Sequence, residues 1–213
     1  MKFGKRLRWE VEETLPEWRS EFISYKQLKK LLNQIDLELR ETDGSNKRPR
    51  FSTFDCLGVG GRYVHMMRED KGFIRLFEGE IEKVNTFFVD KEEDYIIKLK
   101  ELQEMVANLD VGGDILEVQM HILDFHREMV LLLHYSLTNF TGFMKIVKKH
   151  YKKIVEKQRQ HRVAHHHIHF MPKVMQQPFF STDLLYKLMK ECEAMLDHLF
   201  LINNPPDHSD DDL

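Results

Sequence analysis

The chain has 213 residues, of which 42% are hydrophobic and 31% charged, so it can bury a core and is typical of a soluble globular protein. The formal net charge is −3, so a basic site must come from segregated lysines and not from an overall excess of them. No long apolar run and no apolar N-terminal core occurs, so we expect neither a membrane segment nor a signal peptide. Two distant cysteines, Cys56 and Cys192, indicate no disulfide framework or zinc ribbon and favour a reducing compartment.

The first two predicted helices form a hairpin. Apolar residues at helical spacing over 3–11 predict a short amphipathic helix. Thr14 can cap a longer helix, and Pro16 suits its first turn. This second helix is predicted to run to about Leu39, and a connection this short between helices makes a helical hairpin. Its predicted inward side chains are Trp18, Phe22, Leu28, Leu32 and Ile35.

Two long helices are predicted after a loop. Residues 42–62 contain Gly, Ser, Pro and charges of both signs, which predict a flexible loop. Apolar residues then recur every three or four positions from near Glu69 to Leu109. The sequence "DVGGD" predicts a turn, and a second long helix starts at Asp114. This helix can continue into a lysine-rich stretch with Gly142 inside it.

A last helix and a tail complete the predicted fold. Ser181 or Thr182 can cap this helix, and residues 201–213 predict an acidic disordered tail. The pattern shows neither strand alternation nor repeats. We therefore predict an all-α single domain over 1–200: an N-terminal helical hairpin plus a bundle with two long antiparallel helices and a C-terminal helix. The predicted inward residues of the last helix are Leu185, Leu188, Cys192, Met195 and Leu199.

The stretch "NFTGFMKIVKKHYKKI", residues 139–154, has an unusual concentration of lysines. On a helix, at about 100° per residue, four of them fall in one stripe, and like charges at this spacing repel. The stripe indicates either a solvated lysine face or a site for an anion. The lysines are Lys145, Lys148, Lys149 and Lys152, and the opposite, apolar side is predicted to hold Phe140, Phe143, Met144, Val147, Tyr151 and Ile154.

A second basic cluster lies near the N-terminus, with Lys2, Lys5 and Arg6 in and before the first helix. Tyr25 and Lys29 share a helix face at i,i+4 spacing, next to two further lysines. A tyrosine hydroxyl and ammonium groups beside a helix N-terminus are suitable phosphate donors. The alternative is solvated surface around a half-buried tyrosine. Two such clusters in one helical domain favour the anion site.

Other chemistry has weaker support. No glycine-rich phosphate loop follows a strand, and no nucleophile with a catalytic base is recognisable, so we predict that the chain is not an enzyme. His161, His165 and His169 share a helix face that could bind Zn or Ni, but no cysteine or carboxylate partner is near in sequence. We predict no functional metal site and no cofactor.

Four separated motifs resemble the SPX domain in order and spacing: "MKFGK", "LPEWRSEFISYKQLKKLL", "FFVDKEEDYIIKLKEL" and "NFTGFMKIVKKH". The ending "QQPFFSTDLLYKLMKECEAMLDHLF" resembles the plant stand-alone SPX proteins in particular. The resemblance covers 1–200. It implies a helical sensor of cellular phosphate status that binds inositol polyphosphates, especially pyrophosphates.

The resemblance also implies a ligand site. The family's tyrosine and lysine in "SYxxLK" and its lysine in "KIxKK" match Tyr25, Lys29 and Lys149. After the lysines, "HYKKIV" stands where the family usually has "YDKRTG", so the Thr-Gly helix stop is missing. The next segment either extends the helix or forms an irregular loop. Further lysines that match the family's ligand surface are Lys145, Lys148 and Lys152, with Lys2 as the N-terminal contribution.

Stand-alone SPX proteins of this kind imply a ligand-dependent partner, a MYB coiled-coil phosphate-starvation transcription factor that they bind and inhibit. The implied location is the nucleus and/or the cytoplasm, without direct contact to nucleic acid or membrane. One alternative is a basic-helix protein that binds nucleic acid with the same lysines, which the net negative charge disfavours. The other is a helical scaffold with a degenerate ligand site.

Overall fold

A computed structural model describes residues 2–43, 56–109, 114–161 and 170–203, and the side chains within 2–34, 71–109, 114–153 and 172–203. These residues form helices and short connections with no β-strand, which confirms the all-α prediction. None of the described helices has the length and apolar character needed to cross a bilayer. The α-helices are α1 (Phe3–Glu12), α2 (Tyr25–Asp43), α3 (Cys56–Ala107), α4 (Ile115–His161), α5 (Phe170–Met175) and α6 (Asp183–Asn203), with 3₁₀ turns at Pro16–Glu21 and Pro178–Phe180.

The second predicted helix is interrupted, so the prediction of one helix from Thr14 to about Leu39 is wrong. A 3₁₀ turn covers Pro16–Glu21, and α2 begins only at Tyr25. Thr14 does not cap a helix; its hydroxyl donates to the Val11 carbonyl at 2.8 Å. The side chain of Ile35 is not among those that the structure describes. The other predicted inward residues of this segment are buried: Trp18, Phe22, Leu28 and Leu32.

The connection between α2 and α3 is shorter than predicted. Helix α2 runs to Asp43 and α3 begins at Cys56, well before Glu69, so both ends of the loop predicted at 42–62 are helical. The middle of that loop, 44–55, lies outside the described residues.

The start of α4 agrees with the prediction at Asp114. The Glu117 N–H donates to the Asp114 carboxylate at 3.1 Å, which is the bond of an N-cap. The remainder of the predicted turn, 110–113, lies outside the described residues.

Helix α4 passes through Gly142 and the lysine stripe and continues to His161. Of the two alternatives for the segment after Lys152, the extended helix is therefore correct as far as His161. Tyr151 is 58% exposed, so its predicted place on the apolar side is wrong. His150 is buried instead, and its ring stacks on Phe73 of α3 with 4.6 Å between centroids. The packing of α4 against Phe73 of α3 thus determines that His150 is buried. The apolar pattern of α4 alone predicts the neighbouring residue, Tyr151, on the buried side.

The last helix has the predicted inward face, since Leu185, Leu188, Cys192, Met195 and Leu199 are all buried. It begins at Asp183, after Thr182, and ends at Asn203. Residues 201–203, which were predicted as tail, are therefore helical, and 204–213 lie outside the described residues.

The chain divides into two compact units. Unit 1 comprises Met1–Asn85 and Thr138–Gln177, and unit 2 comprises Thr86–Leu137 and Pro178–Leu213. Helices α3 and α4 contribute residues to both units. The single domain over 1–200 stays a prediction. The buried side chains of unit 1 include Trp18, Leu28, Leu32, Phe73, Phe77, Ile81, Val84, Phe143 and Ile146; those of unit 2 include Phe88, Tyr95, Ile122, Phe125, Met129, Leu132, Phe179, Leu185 and Leu199.

Unit 2 contains a half-buried carboxyl group, Glu92 of α3. Its Oε1 is shielded from solvent and has no hydrogen-bond partner in the described part of the chain. Burial raises the pKa of this carboxyl from 4.5 to about 7. Since the folded state binds the proton more tightly than the unfolded state, its contribution to stability is complete below pH 4.5 and is lost as the pH rises through about 7.

Glu92→Gln is therefore expected to raise the melting temperature at about pH 8 and to change it little at about pH 4, because the amide carries no charge to desolvate. Thermal melts of both proteins at the two pH values measure this. Glu93→Gln removes an exposed charge from the neighbouring position and is the control. Equal changes in melting temperature at the two pH values would contradict the assignment of Glu92 as the desolvated group.

Candidate functional site

The start of α2 is positioned by a non-helical link, residues 22–24, that packs against α4 in unit 1. The Ile23 N–H donates to the Asn139 side-chain oxygen at 2.8 Å, and both residues are buried. One turn further along α4, Gly142 faces the same isoleucine, and a Cβ on this glycine would lie 2.9 Å from Ile23 Cγ2. The absence of a side chain at Gly142 therefore permits the close approach of the link to α4.

Helix α3 holds the other side of the link with a charged pair. The Ser24 N–H donates to Glu80 Oε2 at 2.7 Å, and Lys83 Nζ lies 2.9 Å from the same oxygen. Lys83 also donates to the Phe22 carbonyl at 2.8 Å. The link thus has backbone hydrogen bonds to side chains that are distant in sequence, which explains why the helix can stop before it and start again after it.

Three helices meet at Tyr25, the first residue of α2. This side chain is only 6% exposed. The Phe3 ring of α1 packs edge-on against it at 4.9 Å, and a Cβ on Gly4 would lie 3.7 Å from the ring. From α4, Lys149 Nζ lies 5.4 Å from the Tyr25 ring centroid, a cation–π contact. Tyr25 and Lys149, which are far apart in sequence, are therefore neighbours.

The other predicted ligand residues lie on the same three helices. Lys29 is one turn after Tyr25 on α2 and is exposed, and Lys2 is exposed at the N-cap of α1. Within the side chains that the structure describes, no carboxylate pairs with these two lysines or with the exposed lysines of α4. These lysines of α1, α2 and α4, which we call the lysine cluster, therefore have no protein counter-charge among the described side chains. The exposed lysines of α4 are Lys145, Lys148 and Lys152, while Lys149 is half-buried.

Lys153 has a structural role that the sequence did not reveal. Its ammonium group donates to the backbone carbonyl of Leu32, which ties α4 to the middle of α2. The acceptor is a backbone carbonyl, which every residue has, so no sequence pattern could predict that Lys153 bonds to Leu32. The bond holds Lys29 and the α4 lysines on helices that are fixed to each other on both sides of Tyr25.

The histidine run falls mainly outside the described residues, including His165 and His169. The absence of a functional metal site there stays a prediction. Within the described residues, no group of three or more His, Cys, Asp and Glu side chains is arranged to hold a metal.

Comparison with known proteins identifies close relatives. The SPX domain family model matches residues 1–55. The SPX domain-containing protein 1 of Arabidopsis thaliana is 45% identical over 204 residues, which cover 95% of this chain and 73% of that protein. The SPX domain-containing protein 1 of Oryza sativa subsp. indica is 46% identical over 214 residues, with 99% of this chain and 70% of that protein covered.

A solved structure has a similar fold. It is the SPX domain of the Chaetomium thermophilum Glycerophosphodiester Phosphodiesterase 1 in complex with inositol hexakisphosphate. The TM-score is 0.66 at 26% sequence identity, and the match covers 94% of this chain and 99% of that one. Together with the plant relatives, this similarity shows that the chain belongs to the family of SPX domain-containing proteins.

Proposed function

We propose that the chain binds inositol polyphosphates and pyrophosphates through the lysine cluster and, once loaded, binds and inhibits a MYB coiled-coil phosphate-starvation transcription factor. The observation that carries the ligand proposal is the contact of Lys149 with Tyr25, which joins the two sequence clusters in one place. The similar Chaetomium SPX domain was solved with inositol hexakisphosphate, which supports the same ligand class here.

The chemistry of the cluster suits a ligand with many phosphates. Each lysine ammonium donates up to three hydrogen bonds, and the Tyr25 hydroxyl can donate one. The N-terminal end of α2 adds the partial positive charge of the helix dipole beside Tyr25. A ring that carries phosphates on several carbons can bridge Lys29 of α2 and the lysine stripe of α4 simultaneously.

A bridging ligand also provides a way to transmit the signal. In the empty state the lysines of α2 and α4 repel each other, whereas a polyanion between them is attracted to both helices. A partner that recognises the loaded arrangement then gains affinity only when ligand is present, which is a thermodynamic coupling between two sites. The proposed protein is a non-enzymatic adaptor in the nucleus and/or cytoplasm that contacts neither DNA nor membrane directly.

Lys29→Ala and Lys149→Ala are each expected to weaken ligand-dependent partner binding by tenfold or more. Loss of one charge-assisted hydrogen bond to phosphate costs about 1.5–3 kcal/mol, which corresponds to a factor of about ten or more. Titration of the transcription factor with and without inositol hexakisphosphate measures the effect. Thermal melts should show no loss of stability for Lys29→Ala, which only removes repulsion, and a small loss at most for Lys149→Ala, which also removes the cation–π contact with Tyr25.

The control for this experiment is Lys187→Ala, an exposed lysine of α6 in unit 2, which should bind like wild type. Full ligand-dependent binding by both lysine variants would refute the site. Equal partner binding by the wild type without ligand would refute the coupling and leave the site itself standing.

A further inference from the structure

Helix α1 carries an arginine with defined contacts next to the lysine cluster. Arg6 lies one turn after Lys2, and its side chain is 50% exposed. Its Nε lies 3.1 Å from Glu10 Oε1, and its guanidinium carbon lies 5.4 Å from the centre of the Phe3 ring. The side chain of Glu10 is only 17% exposed, and the Thr138 hydroxyl of α4 donates to its other carboxylate oxygen at 3.4 Å. Two neighbours on α1 therefore hold the guanidinium in place.

Two contacts of α1 fix its direction along α4 in unit 1. At the start of α1, Phe3 packs on the Tyr25 ring, which also contacts Lys149 of α4. Near the end of α1, Glu10 bonds to Thr138 of α4. Helix α1 therefore runs antiparallel to the part of α4 between residues 138 and 149, and it follows this part from one contact to the other.

Arg6 and Lys145 lie between these same two contacts, Arg6 on α1 and Lys145 on α4. Lys145 follows Thr138 by two turns, so at about 100° per residue both side chains lie on one face of α4. Arg6 precedes Glu10 by one turn, so both lie on one face of α1, and Glu10 contacts the α4 face that holds Thr138. The guanidinium of Arg6 is therefore beside the lysine stripe of α4.

The ion pair with Glu10 leaves Arg6 with hydrogen-bonding capacity for an anion. A guanidinium has five N–H donors, and a carboxylate in a bidentate pair accepts from two of them. One oxygen of Glu10 is also shared with Thr138. At least three donors of Arg6 therefore remain for other acceptors, on a side chain that is half exposed. The planar fork of a guanidinium matches two oxygens of a phosphate group, which a lysine ammonium does not.

We infer that Arg6 is a further ligand residue, whose guanidinium binds a phosphate group of the inositol polyphosphate beside Lys145. The inference rests on the proposed function and extends the ligand site along α1 by one turn from Lys2. Because the Arg6–Glu10 pair has no net charge, the contribution of Arg6 comes from directed hydrogen bonds to phosphate. Its contacts with Glu10 and Phe3 already restrict the side chain, so less conformational entropy is lost when the ligand binds.

Arg6→Ala is expected to weaken binding of inositol hexakisphosphate by about tenfold, the effect of losing one charge-assisted hydrogen bond. Arg6→Lys keeps the charge but lacks the planar fork, so its affinity should lie between those of Arg6→Ala and wild type. Calorimetric titration of the full chain measures these affinities. Arg8→Ala is the matched control: it removes the same charge from an exposed position of α1, about 200° around the helix axis, and should bind like wild type.

Glu10→Gln separates a ligand role of Arg6 from a structural one. If Arg6 acted only by holding Glu10, and thereby α1, against α4, both Arg6→Ala and Glu10→Gln would weaken binding. A ligand role predicts otherwise: the glutamine still accepts from Thr138, releases Arg6 and removes a carboxylate near the phosphates, so this variant should bind at least as tightly as wild type.

Two outcomes would overturn the inference while the proposed function stands. The first is wild-type affinity of Arg6→Ala for inositol hexakisphosphate, and the second is an equal loss of affinity in Arg6→Ala and Glu10→Gln. A wild-type chain that does not bind inositol hexakisphosphate would refute the proposed function, and the inference with it.

Discussion

Inositol hexakisphosphate is expected to bind this chain at least about a hundredfold more tightly than orthophosphate does. A single phosphate can engage few ammonium groups at once, whereas a ring with several phosphates reaches Lys29 of α2 and the lysines of α4 together. Each charge-assisted hydrogen bond contributes about 1.5–3 kcal/mol, so two additional bonds alone separate the two ligands by about a hundredfold or more. Calorimetric titration of both ligands at one ionic strength measures the ratio.

The matched controls use charge changes inside and outside the cluster. A double Lys29→Ala and Lys149→Ala variant should narrow the difference between the two ligands, and Lys187→Ala should preserve it. Orthophosphate affinity equal to that of inositol hexakisphosphate would rule out the proposed ligand class. Tight binding of duplex DNA by the chain alone at physiological salt would favour the nucleic-acid alternative, since that mode relies on many phosphate contacts.

Gly142→Val is expected to lower the free energy of unfolding by about 2 kcal/mol or more. The new Cβ would lie 2.9 Å from Ile23 Cγ2 and 3.4 Å from its Cδ1, and overpacking of a buried contact typically costs 1–3 kcal/mol. Ile23 cannot yield easily, because its N–H is held by Asn139. A shift of Ile23 is expected to displace Tyr25, two residues later, from its present position against Lys149, so affinity for inositol hexakisphosphate should fall as well. Urea unfolding and calorimetry measure the two effects.

Gly79→Val is the matched control for this substitution. Gly79 lies inside α3 in the same unit, and a Cβ there would meet no atom within 4 Å. Valine is slightly better than glycine in a helix, so this variant should be as stable as wild type or slightly more stable. If Gly142→Val proved as stable as Gly79→Val, the close approach of the link to α4 would not be needed for the fold.

The helical class and the course of α4 could be predicted from the sequence. Apolar residues at three- and four-residue spacing continue through Gly142, and the missing Thr-Gly stop after Lys152 left an extended helix as one alternative, which the structure shows as far as His161. The inward face of α6 was also predictable, because it depends on the helix period and on side-chain polarity, which are local properties. The seven ligand residues lie in the two basic clusters that spacing alone indicated as an anion site, the resemblance to the SPX domain specified the ligand, and their role in binding stays a prediction.

Only the tertiary structure decided where the N-terminal hairpin is interrupted and which of its residues meet α4. The capping signal at Thr14 predicted one helix, but the Ile23 and Ser24 N–H groups bond to Asn139 and Glu80, which lie far away in sequence. The exposure of Tyr151 depends in the same way on the α3 residues that face α4. Backbone groups accept any partner with suitable geometry, so a sequence pattern cannot show a bond made across the fold. The contact of Tyr25 with Lys149 follows from those distant bonds, because they fix the start of α2 against α4.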